Sequence, residues 1–128
     1  MIYLDSSVAL AYLFDEDRQP AREFWHDDLC SSQLLEYEVW NRVHARRLAS
    51  SLGENVQKLL AEISLFQMSV EMLSRALEPF PIAVRTLDAL HLATIVFVRD
   101  EVRELELASY DDRLNAAART LHIPLRAM

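Results

Sequence analysis

The chain has 128 residues, 52% of them hydrophobic and 26% charged, enough to bury one core without disulfides or metal staples. A net charge of −7, from 20 acidic and 13 basic residues, excludes a surface that is basic throughout, and the single cysteine, Cys30, excludes an internal disulfide. The apolar stretches are short and interrupted by Asp, Arg or Glu, so none spans a membrane; Asp5 inside the first of them argues against a signal peptide, and a cytoplasmic protein is expected.

The opening MIYLD is continuously apolar, the pattern of a strand covered on both faces, as in a parallel sheet. Helix is expected over 7–14 and 20–29, around the polar break DEDRQP, with LCSS as a short second strand. QLLEYEVWNRVHARRLAS reads as one long helix stopped before Gly53, the only glycine. ENVQKLLAEISLF is expected to be helical, QMSV a short strand, and EMLSRAL a helix closed by the prolines of EPFP. TLDALHLATIVFVR is an almost wholly apolar helix, LELAS a strand, DRLNAAARTL a helix and IPL a last edge strand. Strands alternating with helices predict a three-layer α/β/α sandwich around a central parallel sheet, one domain over 1–128.

In open α/β sheets ligands bind beyond the carboxyl ends of the strands. Asp5 ends the first strand, and Asp111 follows LELAS by two residues, at the same edge. Asp88 lies in the first turn of TLDALHLATIV, on one face with Leu92, Ile95 and Arg99, where burial is expected. Buried ionised carboxylates need a positive partner, and with Lys58 the only lysine, mid-helix, and no histidine cluster, a hard divalent cation such as Mg²⁺ or Mn²⁺ suits them best. Structural roles stand beside this: Asp5 and Asp111 as helix caps, Asp88 as a helix-dipole partner, His91 as a hydrogen-bonded core histidine. Cys30 reads as a small buried hydrophobe. Twelve of the 13 basic residues are arginine, and Arg42, Arg46 and Arg47 cluster on one helix, suited to phosphates or simply forming a solvated face. Periodicity does not decide between Glu36 and Glu38 as a further acid.

YLDSSVALAYL, SSQLLEYEVWNRV, RTLDALHLATIV and LASYDDRLNAAARTLHIPL follow one another in an order that resembles PIN domains, and more narrowly the VapC toxins of prokaryotic toxin–antitoxin pairs. The resemblance implies a Mg²⁺- or Mn²⁺-dependent endoribonuclease whose acids, catalytic and metal-holding, are Asp5, Glu38, Asp88 and Asp111, with Ser6 and Ser109 supporting them. It favours Glu38 over Glu36 by its spacing from Ser32, and leaves Asp112 as a neighbour able to share the role of Asp111. His122 stands where relatives commonly have glycine, a change affecting a turn. The resemblance further implies an RNA substrate, a homodimer and a VapB-type antitoxin, for which Tyr12, Leu13, Phe24 and Trp25 are the expected groove. Two other readings differ in kind: a PIN-like RNA-binding or regulatory module that does not cleave, and a receiver-type phosphoacceptor domain, which requires a lysine at a strand end.

Overall fold

The computed structural model describes residues 1–128. Four strands, β1 (Ile2–Leu4), β2 (Leu29–Ser32), β3 (Ser64–Phe66) and β4 (Glu106–Ala108), pair in the order β3-β2-β1-β4, all parallel. Six helices connect them: α1 (Ser6–Leu13), α2 (Leu34–Ala45), α3 (Ala49–Ala61), α4 (Val70–Ala76), α5 (Thr86–Glu101) and α6 (Asp112–Thr120). The chain builds outward from β1 to β3 on one side and then returns to lay β4 on the other, so the strand order reverses between β1 and β4. Side chains at the carboxyl ends of those two strands therefore face a common crevice.

Alternation along the strands divides the core into two layers. Ile2, Leu4, Leu29 and Ala108 pack on one face with Val8 of α1, Leu35, Val39 and Val43 of α2, and Val56 and Leu59 of α3. Tyr3, Cys30 and Leu107 pack on the other with Leu92, Ile95 and Val98 of α5 and Leu114 and Ala117 of α6. Each fully buried aliphatic side chain contributes about 1.5–3 kcal/mol. Both faces of the sheet are thus covered, as its unbroken apolar strands require. No helix is long and apolar enough to cross a membrane.

Helix ends depart from the sequence reading. The expected long helix is two, α2 and α3, and Gly53 lies inside α3 rather than stopping a helix. The stop is at Arg47, in the left-handed region at φ 55°, where Arg47 N donates to the His44 carbonyl and Leu48 N to that of Val43. The same pair of bonds closes α1 at Asp15 and α6 at His122, with φ 50° and 58°. These are Schellman caps filled by residues other than glycine, so composition does not announce them.

Three further expectations need correction. Residues 20–29 are not an α-helix: Arg22–His26 form a 3₁₀ segment that inserts Phe24 into the core, and β2 begins at Leu29. The third strand is Ser64–Phe66 and not QMSV, because the Ser69 hydroxyl accepts from Met72 N and caps α4 there. The tail IPL forms a single bridge, Leu107 with Leu125, in place of a strand.

Gly53 also yields a stability test. A Cβ there meets only the Trp40 ring, at 3.7 Å, an ordinary contact. Gly53→Ala is therefore expected to stabilise the protein by about 0.5–1 kcal/mol, read as a raised denaturation midpoint with an unchanged m-value.

Candidate active site

Four carboxylates gather around the β1/β4 crevice. Asp5 follows β1 and caps α1, and only 6% of its surface is exposed. Its Oδ2 accepts from Ser7 Oγ at 2.6 Å, Ser109 Oγ at 2.8 Å and Ser7 N at 3.3 Å, while Oδ1 receives no protein donor. Asp111 caps α6 through Oδ1, which accepts from Arg113 N at 2.9 Å and Leu114 N at 3.3 Å. The capping roles are thus real, and each leaves one carboxylate oxygen uncommitted. Asp112 is exposed at the start of α6, and it is Asp111, half-buried, whose charge acts on Asp88.

Asp88 sits half-buried in the first turn of α5 with no hydrogen bond to protein. Burial raises its pKa, and the charges of Asp111, Asp5 and Glu38 add to the rise while His91 opposes it. Three acids on three other elements therefore bear on this one carboxyl. Glu38 of α2 is half-buried, whereas Glu36 is exposed and unpartnered. Glu38 Oε2 accepts from Ser6 Oγ at 3.0 Å, and Oε1 meets His91 Nε2 at 2.5 Å. No ion pair joins Glu38 to Arg42.

Two participants escape sequence reasoning. Ser7 donates to Asp5 and accepts from Tyr110 N at 2.9 Å, tying the start of α1 to the end of β4. His91 is a buried core histidine, as its pattern suggests, but its partner is Glu38, on a different helix. Burial pushes the His91 pKa down; the Glu38 hydrogen bond and the charges of Glu38, Asp5 and Asp88 outweigh it and raise it overall. Nδ1 shares a 2.7 Å hydrogen bond with the Tyr3 hydroxyl, which accepts from Ser32 N at 3.1 Å. A chain of bonds thus runs from β2 through Tyr3 and His91 to Glu38 and Ser6, fixing that carboxylate from below. The only hint in the sequence is that His91 lies one turn after Asp88. Cys30 is remote in character: burial, aided by Asp28, pushes its thiol up to about 12, leaving it inert.

The family model described as PIN domain covers residues 2–120. The chain belongs to the PIN domain family. Among curated proteins, this PIN domain is 32% identical over 134 residues to Ribonuclease VapC35 of Mycobacterium tuberculosis (strain CDC 1551 / Oshkosh), an alignment covering 99% of this chain and 96% of the relative. It is 31% identical over 124 residues to Ribonuclease VapC46 of the H37Rv strain, covering 94% and 92%.

The donor set of the PIN domain suits a hard divalent cation. All four charged groups are carboxylates, neither Asp5 Oδ1 nor Asp111 Oδ2 nor either oxygen of Asp88 is bonded to protein, and no arginine or lysine pairs with them. No three acidic or imidazole groups close on one point as a finished cage. Mg²⁺ fits such an open ring, since it keeps several waters and is commonly held by one or two carboxylates plus substrate phosphate. The receiver alternative fails on position: Lys58 lies on α3, near Tyr12 and Trp25, and not at a strand end. The expected groove at Tyr12, Leu13, Phe24 and Trp25 also needs revision, because Leu13 and Phe24 are buried in the core and only Tyr12 is well exposed.

Proposed function

We propose that residues 1–128 form one PIN domain acting as a Mg²⁺- or Mn²⁺-dependent endoribonuclease, the toxin of a VapBC-type pair. The observation that carries this is the convergence of Asp5, Asp88 and Asp111 on the β1/β4 crevice, with Glu38 held beside them by Ser6 and His91. The family membership and the ribonuclease names of both relatives support it.

Asp5, Asp88 and Asp111 are the residues to hold the cation, through the oxygens that protein donors leave open. When bound, the ion supplies Lewis-acid charge for the scissile phosphate and lowers the pKa of an attacking water. Ser7 and Ser109 keep Asp5 oriented through the hydrogen bonds their hydroxyls donate to its Oδ2. Glu38, fixed on both oxygens by Ser6 and His91, retains lone pairs with which to orient water against the phosphate. Hydrolysis of this kind leaves a 5′-phosphate and a 3′-hydroxyl.

The partners this reading requires are RNA, a VapB-type antitoxin and a second copy of the chain, and its setting is the cytoplasm. The apolar surface supporting protein partners is at α4, where exposed Leu73 and Leu77 border a cleft of about 580 Å³ with Phe80 and Ile82.

Purified, antitoxin-free protein is expected to cut RNA in Mg²⁺ or Mn²⁺ and to stop completely in excess chelator, with products carrying 5′-phosphates. Binding of RNA without cleavage in either metal would instead establish the non-cleaving module, and cleavage undiminished by chelator would reject the metal. Co-expression with an adjacent small antitoxin gene should relieve growth inhibition. A harmless toxin with no binding neighbour rejects the toxin role alone.

A further inference from the structure

A cleft of about 500 Å³ between α1 and α2 meets the acidic crevice at Ser7, the residue whose hydroxyl is bonded to Asp5. Arg18, Arg42 and Arg46 line it. None of the three is ion-paired, although acidic residues outnumber basic ones 20 to 13 in this chain, and Glu16, also in the cleft, bonds to none of them. None of them forms an ion pair with the acids of the crevice either.

Two of these cations are held in place. Arg18 lies over the Tyr110 ring at 4.1 Å and donates to the Tyr110 carbonyl at 3.1 Å, and Arg46 lies over the Phe14 ring at 4.0 Å. Stacking occupies the flat face of a guanidinium and leaves N–H groups at its edge for a further acceptor, with part of the ordering cost already met. Arg42 is exposed and makes no bond to protein. Glu38, Arg42 and Arg46 succeed one another at four-residue steps along α2 to its C-cap, one face of a helix rising about 6 Å per step. A row of free cations thus leads directly away from the acids.

Resting on the nuclease reading above, we propose that the Arg18–Arg42–Arg46 cleft is a subsite for the phosphate backbone of the RNA strand flanking the bond to be cut. The forked donors match phosphate oxygens, a contact every sequence offers alike, so the subsite adds affinity and register without sequence choice.

The test compares wild type with Arg42→Gln, Arg42→Gln/Arg46→Gln and a distant exposed control, Arg103→Gln. Binding of a labelled single-stranded RNA is followed by anisotropy in chelator over a salt series, and KM and kcat are measured in Mg²⁺. The double variant is expected to weaken binding about tenfold and to lower the salt slope by about 1.4, at about 0.7 per lost phosphate contact, with the loss in KM exceeding that in kcat. Arg42→Gln, which breaks no contact within the protein, should show about half that change in slope, and Arg103→Gln none. An unchanged slope and KM in both arginine variants, with RNA still cut, overturns the subsite alone. Wild type that neither binds nor cuts RNA overturns the nuclease reading and the subsite with it. A polyglutamate peptide that competes as well as RNA overturns the assignment in favour of an acidic protein partner.

Discussion

Asp88→Asn should abolish metal-dependent cleavage, by at least about a thousandfold, or about 4 kcal/mol of transition-state stabilisation, while the fold survives. The side chain makes no hydrogen bond to protein, so asparagine breaks nothing, keeps the shape and removes one charge from the group the other acids crowd. The same change has a second signature in metal-free protein. Folding raises the Asp88 pKa above its ordinary value of 3.8, so the native state holds this proton more tightly than the unfolded chain does. Its contribution to stability is therefore most favourable below 3.8 and declines as pH rises through the folded pKa, the reverse of a salt-bridged aspartate. Asp88→Asn removes that decline, and its melting temperature at neutral pH without metal should equal or exceed wild type. A clear drop would mean that Asp88 serves the helix dipole of α5 and nothing else.

Glu38→Gln is expected to slow cleavage by at least about a hundredfold, or about 2.7 kcal/mol, while Glu36→Gln stays within a few-fold of wild type. The hydrogen bonds of Glu38 sharpen the reason. Two donors, Ser6 Oγ and His91 Nε2, approach its two oxygens, and a glutamine offers only one acceptor atom to them. One donor then faces an amide nitrogen, so the side chain must turn or its neighbours rearrange. Glu36 is exposed in the first turn of α2 and gives up no more than a few tenths of a kcal/mol with the helix dipole. Rates at saturating Mg²⁺ for both variants decide the matter, and the opposite ranking would place the working carboxylate at Glu36.

Structure is legible in this sequence where burial dictates pattern and illegible where local geometry does. The strands MIYL and LCSS and the apolar helix α5 declare themselves because both faces of the sheet are covered. Helix ends did not, because Asp15, Arg47 and His122 adopt a backbone form usually given to glycine while Gly53 sits inside α3. Asp5, Asp88 and Asp111 were legible as acids at strand or helix ends, since position along an element follows from periodicity. The family resemblance singles out Glu38, whereas the helical wheel treats it and Glu36 alike. The bonds that distinguish the two, from Ser6 of α1 and His91 of α5, join segments 32 and 53 residues away. No local pattern carries contacts of that range.

The single bridge between Leu107 and Leu125 bears on how copies of this chain meet. Leu107 N donates to the Pro124 carbonyl and Arg126 N to that of Leu107, each at 2.8 Å, while the Arg126 side chain reaches Asp27 and Glu106. Residues 124–126 therefore shield β4, an outer strand whose free amides and carbonyls would otherwise be a template for stray pairing. Being only a bridge, the shield has no strand partners of its own and rests on two backbone bonds and two partly exposed ion pairs, which salt screens. Solubility at high ionic strength thus depends on this short segment, and aggregation there would begin by peeling it away with the acidic crevice still intact.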